Sequence, residues 1–417
     1  MPKNLICIYD LSCSPCSYDF IAFLISAELH RKRYSLDSIE LVFVAGPKSG
    51  FRDDTIRTNE QNNEFFYNVL IPSTSLLKSC SSVHHFSDSK KLQKFLDNSE
   101  HIFPRGYSVK NPIADYTFGG ITTAHFRSEN PVFLKAPEYS IKMARSFLES
   151  ISTNKKFILL TTREILRDDL GTRSIKPAVW KDFFSKLDLD VFHPLIIRDT
   201  KFSFSNSKII DGIQEVPYAS IHLPFRMAIN ELAYISLFKN NGPSMINLFG
   251  NCNTVYFNEY DDRFDVLSQN WFKTHYGMNI GAQYPLTSMN KLVVWSGEST
   301  ELIKKSIETI RNACSKNLTK TPHDFINKKN LAYTTEVALK KTILNIKSGL
   351  IEEDWTVFLK YNSYLNSGIL NGEKPFQLIK RLQEQNVIPR DSLKRLYEID
   401  EKNGSRLSKD SELFFAS

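Results

Sequence analysis

The chain has 417 residues, of which 41% are hydrophobic and 24% are charged, and its formal net charge is +7. This length predicts two domains with an extension, and the composition is that of a folded protein and not of a disordered one. The weak positive charge is not interleaved with aromatic residues along one segment, which argues against a nucleic-acid partner. No window approaches the roughly 20 apolar residues of a membrane span, and no signal peptide is visible, so we expect a soluble, cytoplasmic protein.

Short apolar runs alternate with helical patterns in the first 152 residues, as is typical of βα units with a parallel sheet. The predicted strands are 4–9, 39–45 and 83–86. The predicted helices are 18–32, 62–77, 89–96 and 136–152. We therefore predict an N-terminal Rossmann-like domain over 1–152.

The same alternation continues after residue 153 and predicts a second Rossmann-like domain over 153–315. Its predicted strands are 155–162, 190–197, 216–222, 253–258 and 292–295. Its predicted helices are 176–187, 221–237, 264–276 and 299–313. Residues 316–417 show helical patterns throughout, with 17 lysines and arginines against 13 carboxylates, and predict a helical extension.

Several motifs that carry well-known chemistries are missing from this sequence. It has no GxGxxG after a strand, no Walker A, no GxSxG elbow and no HExxH, which argues against dehydrogenases, P-loop NTPases, typical α/β-hydrolases and zincins. Cys13 and Cys16 have CxxC spacing but lack a second pair, so free thiols are expected. Acidic pairs such as Asp53-Asp54 are interpreted as turns or helix caps, and no metal site is expected.

Ligands of open parallel sheets bind beyond the carboxyl ends of the strands, which directs attention to the residues after each strand. Asp10 follows the first strand, and Arg52 and Asp53 follow the second in a glycine-containing loop. This loop is either a substrate loop or an ordinary solvated one.

In the second domain, Arg163 follows the first strand, and Arg173 and Ser174 precede the next helix. Arginines at a strand end and at a helix N-terminus favour a phosphate or carboxylate ligand. The alternative is a set of separate surface ion pairs.

The segment 226–246 combines charged residues with a turn before an apolar stretch. Arg226 and Glu231 lie on a predicted helix, and Glu231 is either a partner of Arg226 or a catalytic carboxylate. A turn then enters the next element, and its exposed backbone N–H groups would attract a phosphate, unless it is a plain glycine cap. The residues of this turn are Asn241, Gly242, Pro243 and Ser244.

Taken together, these segments resemble glycosyltransferases of the GT-B fold, in particular poorly characterised bacterial proteins of surface polysaccharide assembly. The resemblance covers roughly 1–312, and the asparagine expected after Arg173 is missing. The residues that carry it in the second domain are Thr162, Arg163, Glu164, Arg173, Ser174, Trp180, Phe183, Asn241, Gly242, Pro243, Ser244, Gly281, Gln283 and Trp295.

The resemblance implies two Rossmann-like domains that face each other across a cleft, and transfer of a sugar from a nucleotide-activated donor to a glycan or lipid-linked glycan. The donor phosphate would be bound by Arg163, Arg173, Ser174, Arg226 and residues 241–244, without a metal ion or other cofactor. Asp10 or Glu231 would be catalytic, and Arg52, Asp53 and Gln283 would bind the acceptor.

Two other functions stay open on the sequence alone. One is a nucleotide-sugar epimerase or hydrolase on the same fold. The other is a non-enzymatic assembly protein that uses 316–417 against a partner or the inner face of the membrane.

Overall fold

The computed structural model describes residues 3–53, 57–116, 121, 133–164, 173–264, 267–272, 280–281 and 290–315. The predicted C-terminal extension and Gln283 lie outside these residues. In the part of the chain so described, no helix combines the length and apolar character needed to cross a bilayer.

The first sheet has four strands in the order β3-β2-β1-β4, and every pairing is parallel. The strands are β1 (Asn4–Asp10), β2 (Ser38–Val44), β3 (Cys80–Phe86) and β4 (Ile102–Phe103). The central strand β1 is almost continuously apolar because both of its faces are covered: Leu5 and Tyr9 join one core cluster, and Ile6 and Ile8 join another.

In the described part of the first half, the helices that accompany the sheet are α1 (Asp19–Arg33), α2 (Asn59–Phe65), α3 (Ile71–Thr74) and α4 (Ser89–Leu96). The predicted helix over 62–77 is found as α2 and α3, joined by a π-helical turn over Phe66–Leu70. Pro72 lies in the first turn of α3, where the proline lacks an N–H to continue the ladder of the preceding helix.

The second sheet has six parallel strands in the order β10-β9-β8-β5-β6-β7. They are β5 (Lys156–Thr161), β6 (Phe192–Ile197), β7 (Gln214–Glu215), β8 (Ile235–Lys239), β9 (Thr254–Phe257) and β10 (Lys291–Val294). From β7 to β10 this is the 3-2-1-4-5-6 order of doubly wound sheets. The predicted fold class, α/β with two parallel sheets, is confirmed.

Helices cover both faces of the second sheet. They are α5 (Glu138–Ile151), α6 (Pro177–Ser185), α7 (Pro217–Ile221), α8 (Leu223–Leu232), α9 (Ser244–Leu248), α10 (Gln269–Trp271) and α11 (Thr300–Ser315). One face packs against α6 and α11, and the other packs against α5 and α8. The sequence analysis assigned α5 to the first domain, but its Ala144 and Leu148 pack in the core of the second sheet.

The helix predicted over 221–237 is wrong at its C-terminal end, and the strand predicted over 216–222 is wrong. Residues Pro217–Ile221 are helical, α8 ends at Leu232, and Ile235–Lys239 is the strand β8. All residues of β8 are buried, so its continuous apolar run fits a buried helix as well as a central parallel strand.

Candidate functional site

The switch point of the second sheet lies between the carboxyl ends of β5 and β8, where the strand order reverses. The loops that follow these two strands touch: the Asn241 Nδ2 atom donates to the Thr162 carbonyl at 3.4 Å. The Arg173 Nε atom donates to the Asn240 carbonyl, also at 3.4 Å. In doubly wound folds this crevice is where ligands bind.

The first half of the chain contacts this switch point through Tyr18, which directly precedes α1 at the carboxyl edge of the first sheet. A Cβ atom added to Gly242 would lie 2.4 Å from the Tyr18 Cδ2 atom, so only glycine permits this approach. Burial lowers the pKa of Arg226 and the Tyr18 side chain acts in the opposite direction, so Tyr18 also lies close to Arg226. The carboxyl edges of the two sheets therefore face each other.

Two arginines at this junction, the buried Arg226 and the partly exposed Arg163, are not fully neutralised. Arg226 is 2% exposed, and its Nε atom donates to the Ala219 carbonyl at 2.6 Å. The Nε atom of Arg163 is buried and has no hydrogen-bond partner among the residues that the structure describes. Within the same residues, neither guanidinium forms an ion pair with a carboxylate.

Burial lowers the pKa of both Arg163 and Arg226, and the nearby carboxylate of Asp199 acts in the opposite direction. Asp199 follows β6 and accepts a hydrogen bond from the Glu164 N–H at 2.8 Å. Burial also raises the pKa of Asp199, and its charge is shared by both arginines. One carboxylate facing two desolvated cations leaves an excess of positive charge.

A third arginine of this junction comes from the first half. The Arg57 guanidinium lies 4.6 Å over the ring of Phe65, and its charge further lowers the pKa of Arg163. The Phe65 ring in turn packs edge-on against Tyr18, with 6.4 Å between the ring centroids. Arg57, Phe65 and Tyr18 thus form one connected surface next to Arg163.

Arg198, which follows β6, does not add to this positive charge. Its guanidinium is bound to Glu164 through two hydrogen bonds, of 3.0 Å from Nε and 2.5 Å from Nη2. Its Nη1 atom donates to the Ser207 carbonyl at 2.6 Å. This arginine is neutralised in a largely buried ion pair.

The turn at 241–244 differs from the predicted phosphate-binding helix start. Helix α9 has only five residues, and the Ser244 N–H donates to the Asn241 Oδ1 atom at 3.1 Å. The Ser244 hydroxyl donates to the Asn241 carbonyl at 2.6 Å, and Pro243 has no N–H. Two of the expected N–H groups are therefore not free, because the Asn241 side chain occupies that of Ser244 and Pro243 has none, and the phosphate-binding role of residues 241–244 stays a prediction. Gly242 is needed for its close approach to Tyr18.

Glu231 lies apart from the arginines. Its Oε1 atom accepts a hydrogen bond from the Ala136 N–H at 2.9 Å, and burial raises its pKa. It is close enough to Cys252, which precedes β9, to raise the pKa of that thiol. Glu231 therefore lies at the amino edge of the second sheet, opposite to Arg163, and this position does not suit a catalytic carboxylate at the switch point.

Asp10 lies at the carboxyl end of β1, as expected, and is 4% exposed. Its Oδ1 atom accepts from the Ser12 N–H at 2.9 Å, and its Oδ2 atom accepts from the Tyr107 hydroxyl at 2.7 Å. Burial raises the pKa of Tyr107, so this phenol stays protonated as a donor. Both oxygens of Asp10 hold the turn after β1, and its role as a base stays a prediction.

The predicted acceptor residues of the first half lie in two different settings. Burial raises the pKa of Cys13, and the charge of Arg52 acts in the opposite direction, so this arginine lies near the carboxyl end of β1. Asp53 is exposed and pairs with the exposed Lys48 at 3.4 Å. Among the described residues, no group of three His, Cys, Asp or Glu side chains could hold a metal ion, and Cys16 is a buried free thiol.

The sequence analysis missed a buried ionic cluster at the same edge of the second sheet. Lys239, the last residue of β8, is 1% exposed, and its Nζ atom donates to Glu298 Oε2 at 2.7 Å and to Glu259 Oε2 at 3.2 Å. The Glu298 Oε1 atom is buried and lacks a hydrogen-bond partner in the described part of the chain. A lysine that closes an apolar strand was the available signal. Tyr18 and Arg57 were also missed.

No family model and no curated protein matches this chain. Solved structures similar to it include a glycosyl transferase of family 9 from Veillonella parvula DSM 2008, with 8% identity, a TM-score of 0.42, and 74% of this chain and 97% of that one covered. Another is the ADP-heptose lps heptosyltransferase II of E. coli, with 9% identity, a TM-score of 0.41, and coverage of 81% and 99%. A putative UDP-N-acetylglucosamine 2-epimerase from Listeria monocytogenes is similar at 11% identity and a TM-score of 0.31, with coverage of 85% and 98%.

Proposed function

We propose that the chain transfers a sugar from a nucleotide-activated donor to a hydroxyl group of an acceptor, and that the donor phosphate binds between the two carboxyl edges. The observation that carries this proposal is the pair of incompletely neutralised arginines at the switch point: Arg226 is buried, and Arg163 has a buried Nε atom without a described partner. A buried cation without a full set of partners is costly, and an anion that enters the site offsets this cost.

Residues of both neighbouring loops would support the same anion. Arg173 is tied to the loop after β8 through the Asn240 carbonyl, which places its charge at the switch point. Arginine suits this task because its planar guanidinium binds phosphate oxygens through two parallel hydrogen bonds. The single charge of Asp199 is shared by Arg163 and Arg226, which leaves positive charge for the ligand.

The proposed step is a displacement at the anomeric carbon of the donor sugar. A bond forms from the acceptor hydroxyl oxygen to this carbon, and the bond to the phosphate oxygen breaks with its electron pair left on that oxygen. The acceptor proton goes to a carboxylate or to water. Charge grows on the phosphate as the bond breaks, so Arg163 and Arg226 would stabilise the transition state more than the bound donor. We propose that these cations replace a metal ion.

For the acceptor we propose a glycan or lipid-linked glycan of a bacterial surface polysaccharide, bound by the first half at the inner face of the membrane. Arg52 lies near the carboxyl end of β1, the edge that faces the donor site. Asp10, the last residue of the same strand, is the candidate base.

The test combines binding with product analysis. Nucleoside mono- and diphosphates should raise the melting temperature of the wild-type chain, because a ligand that binds only the folded state stabilises it. Arg163→Gln should abolish this shift and sugar transfer, whereas Arg145→Gln, which removes an exposed arginine of α5, should change neither. Transfer should also persist in EDTA.

Two results would contradict the proposal. Nucleotide binding that is equal in the wild type and Arg163→Gln would place the donor elsewhere. Release of free sugar or of an epimer, without any acceptor, would show a hydrolase or epimerase instead.

A further inference from the structure

Two features of the first half fix the position of Arg57, which is a half-buried residue. It directly precedes Thr58, whose side chain caps α2: Thr58 Oγ1 accepts from the Gln61 N–H at 3.3 Å, and the Thr58 N–H donates to Gln61 Oε1 at 3.0 Å. This reciprocal capping box fixes the backbone beside Arg57. The guanidinium itself then rests 4.6 Å over the Phe65 ring.

This arrangement brings the Arg57 guanidinium towards the Arg163 guanidinium. The charge of Arg57 acts on Arg163 across the junction between the two halves, and no described carboxylate forms an ion pair with Arg57. Two like charges held near each other disfavour the folded state unless an anion lies between them. The cation–π contact with Phe65 keeps Arg57 in place, since the ring face attracts the guanidinium.

A series of side-chain contacts also links the position of Arg57 to the second half. Phe65 packs on Tyr18, and Tyr18 lies against Gly242 and close to Arg226. Any shift of the first half relative to the second would therefore move Arg57 and Tyr18 together.

We infer that Arg57, held on the ring of Phe65, binds the same anion as Arg163, so that the ligand is clamped by guanidinium groups from both halves of the chain. This inference rests on the proposed anion site but does not follow from it, since the second half alone supplies Arg163, Arg173 and Arg226. The bound anion links the two halves electrostatically at the point where they already touch.

The experiment is a calorimetric titration of the full chain with inorganic pyrophosphate at low ionic strength. Arg57→Gln should weaken pyrophosphate binding at least about tenfold, which corresponds to about 1.4 kcal/mol. Arg57→Lys should bind with intermediate affinity, because lysine keeps the charge but loses the planar fork and the stacking on Phe65. Arg145→Gln, which removes the same charge from an exposed site on α5, should bind like the wild type.

Variants at Phe65 separate ligand binding from support of the fold. Phe65→Leu should weaken pyrophosphate binding several-fold, whereas Phe65→Tyr, which keeps an aromatic face, should restore it. Melting temperatures without pyrophosphate check that each variant is folded.

The outcomes distinguish the inference from the function it rests on. If Arg57→Gln binds pyrophosphate within twofold of the wild type while Arg163→Gln does not bind it, Arg57 is not a ligand contact and the donor site stands. If neither substitution changes binding, both the inference and the proposed anion site are wrong. Weak binding that is equally insensitive to all variants would indicate an adventitious ion only.

Discussion

Replacement of Gly242 by alanine tests whether the two carboxyl edges touch in solution. The new Cβ atom would meet three atoms of the Tyr18 ring, at 2.4, 3.0 and 3.2 Å, and no other atom is among its three nearest neighbours. Gly242 does not have a positive φ, so alanine brings no backbone strain of its own. Overpacking of this kind costs about 1–3 kcal/mol, because the Tyr18 ring must shift away from the added Cβ atom.

The assay is urea unfolding of a double-mutant cycle. Gly242→Ala should lower the free energy of unfolding by about 1–3 kcal/mol in the wild type and by close to zero in a Tyr18→Ala background. Gly297→Ala provides a comparison, because the added Cβ there meets the movable ends of Glu259 and Lys176 and should cost less. An equal cost of Gly242→Ala in both backgrounds would refute the proposed contact between the edges.

Three further predictions concern charged groups. Arg163→Gln should change the free energy of unfolding by less than about 1 kcal/mol while it abolishes pyrophosphate binding in calorimetry, because the charge it removes is already poorly compensated. Burial raises the pKa of Glu231 in the folded state, so protonation of this carboxyl, which accepts from the Ala136 N–H, favours folding. The stability of the wild type relative to Glu231→Gln should therefore be greatest below the ordinary pKa of 4.5 and should fall as the pH rises. Urea unfolding of both proteins across pH 4–7 measures this difference. Lys239→Met should lower the free energy of unfolding by about 3–5 kcal/mol because it leaves Glu298 buried and unpaired, and the added change Glu298→Gln should recover much of that loss.

The parts of the fold that were predicted correctly are those in which burial of an element gives a recognisable local pattern of apolar residues. Strands β1 and β5 are covered on both faces, so their apolar runs are short, continuous and bounded by polar residues. The same property misled the interpretation of β8, because the buried helix α8 and the buried strand follow each other within three residues. The hydrophobic pattern cannot locate the boundary between two adjacent segments that are both almost fully buried.

The candidate site was predicted in part because strand ends can be located from the sequence. Arg163 and Asn241 follow two strands that turn out to be neighbours, and the structure brings their loops together. Tyr18 and Arg57 were not predicted, since their importance comes from contacts between the two halves and no local pattern encodes such contacts. Gly242 was selected for a phosphate, whereas the structure shows that glycine is needed at this position for the close approach of the Tyr18 ring.

The charge balance of the junction favours a ligand-binding role over a structural one. A structural ion pair would resemble Arg198 and Glu164, where two hydrogen bonds join the partners and both groups are neutralised. Arg163 follows the neighbouring strand, yet its Nε atom has no described partner. The charges that act on it are those of Asp199, which it shares with Arg226, and of Arg57. An apolar side chain would fill the same space at a lower cost in desolvation. The guanidinium is therefore best explained by an anion whose negative charge grows during the reaction, since such a group is stabilised most when its bond to the sugar breaks.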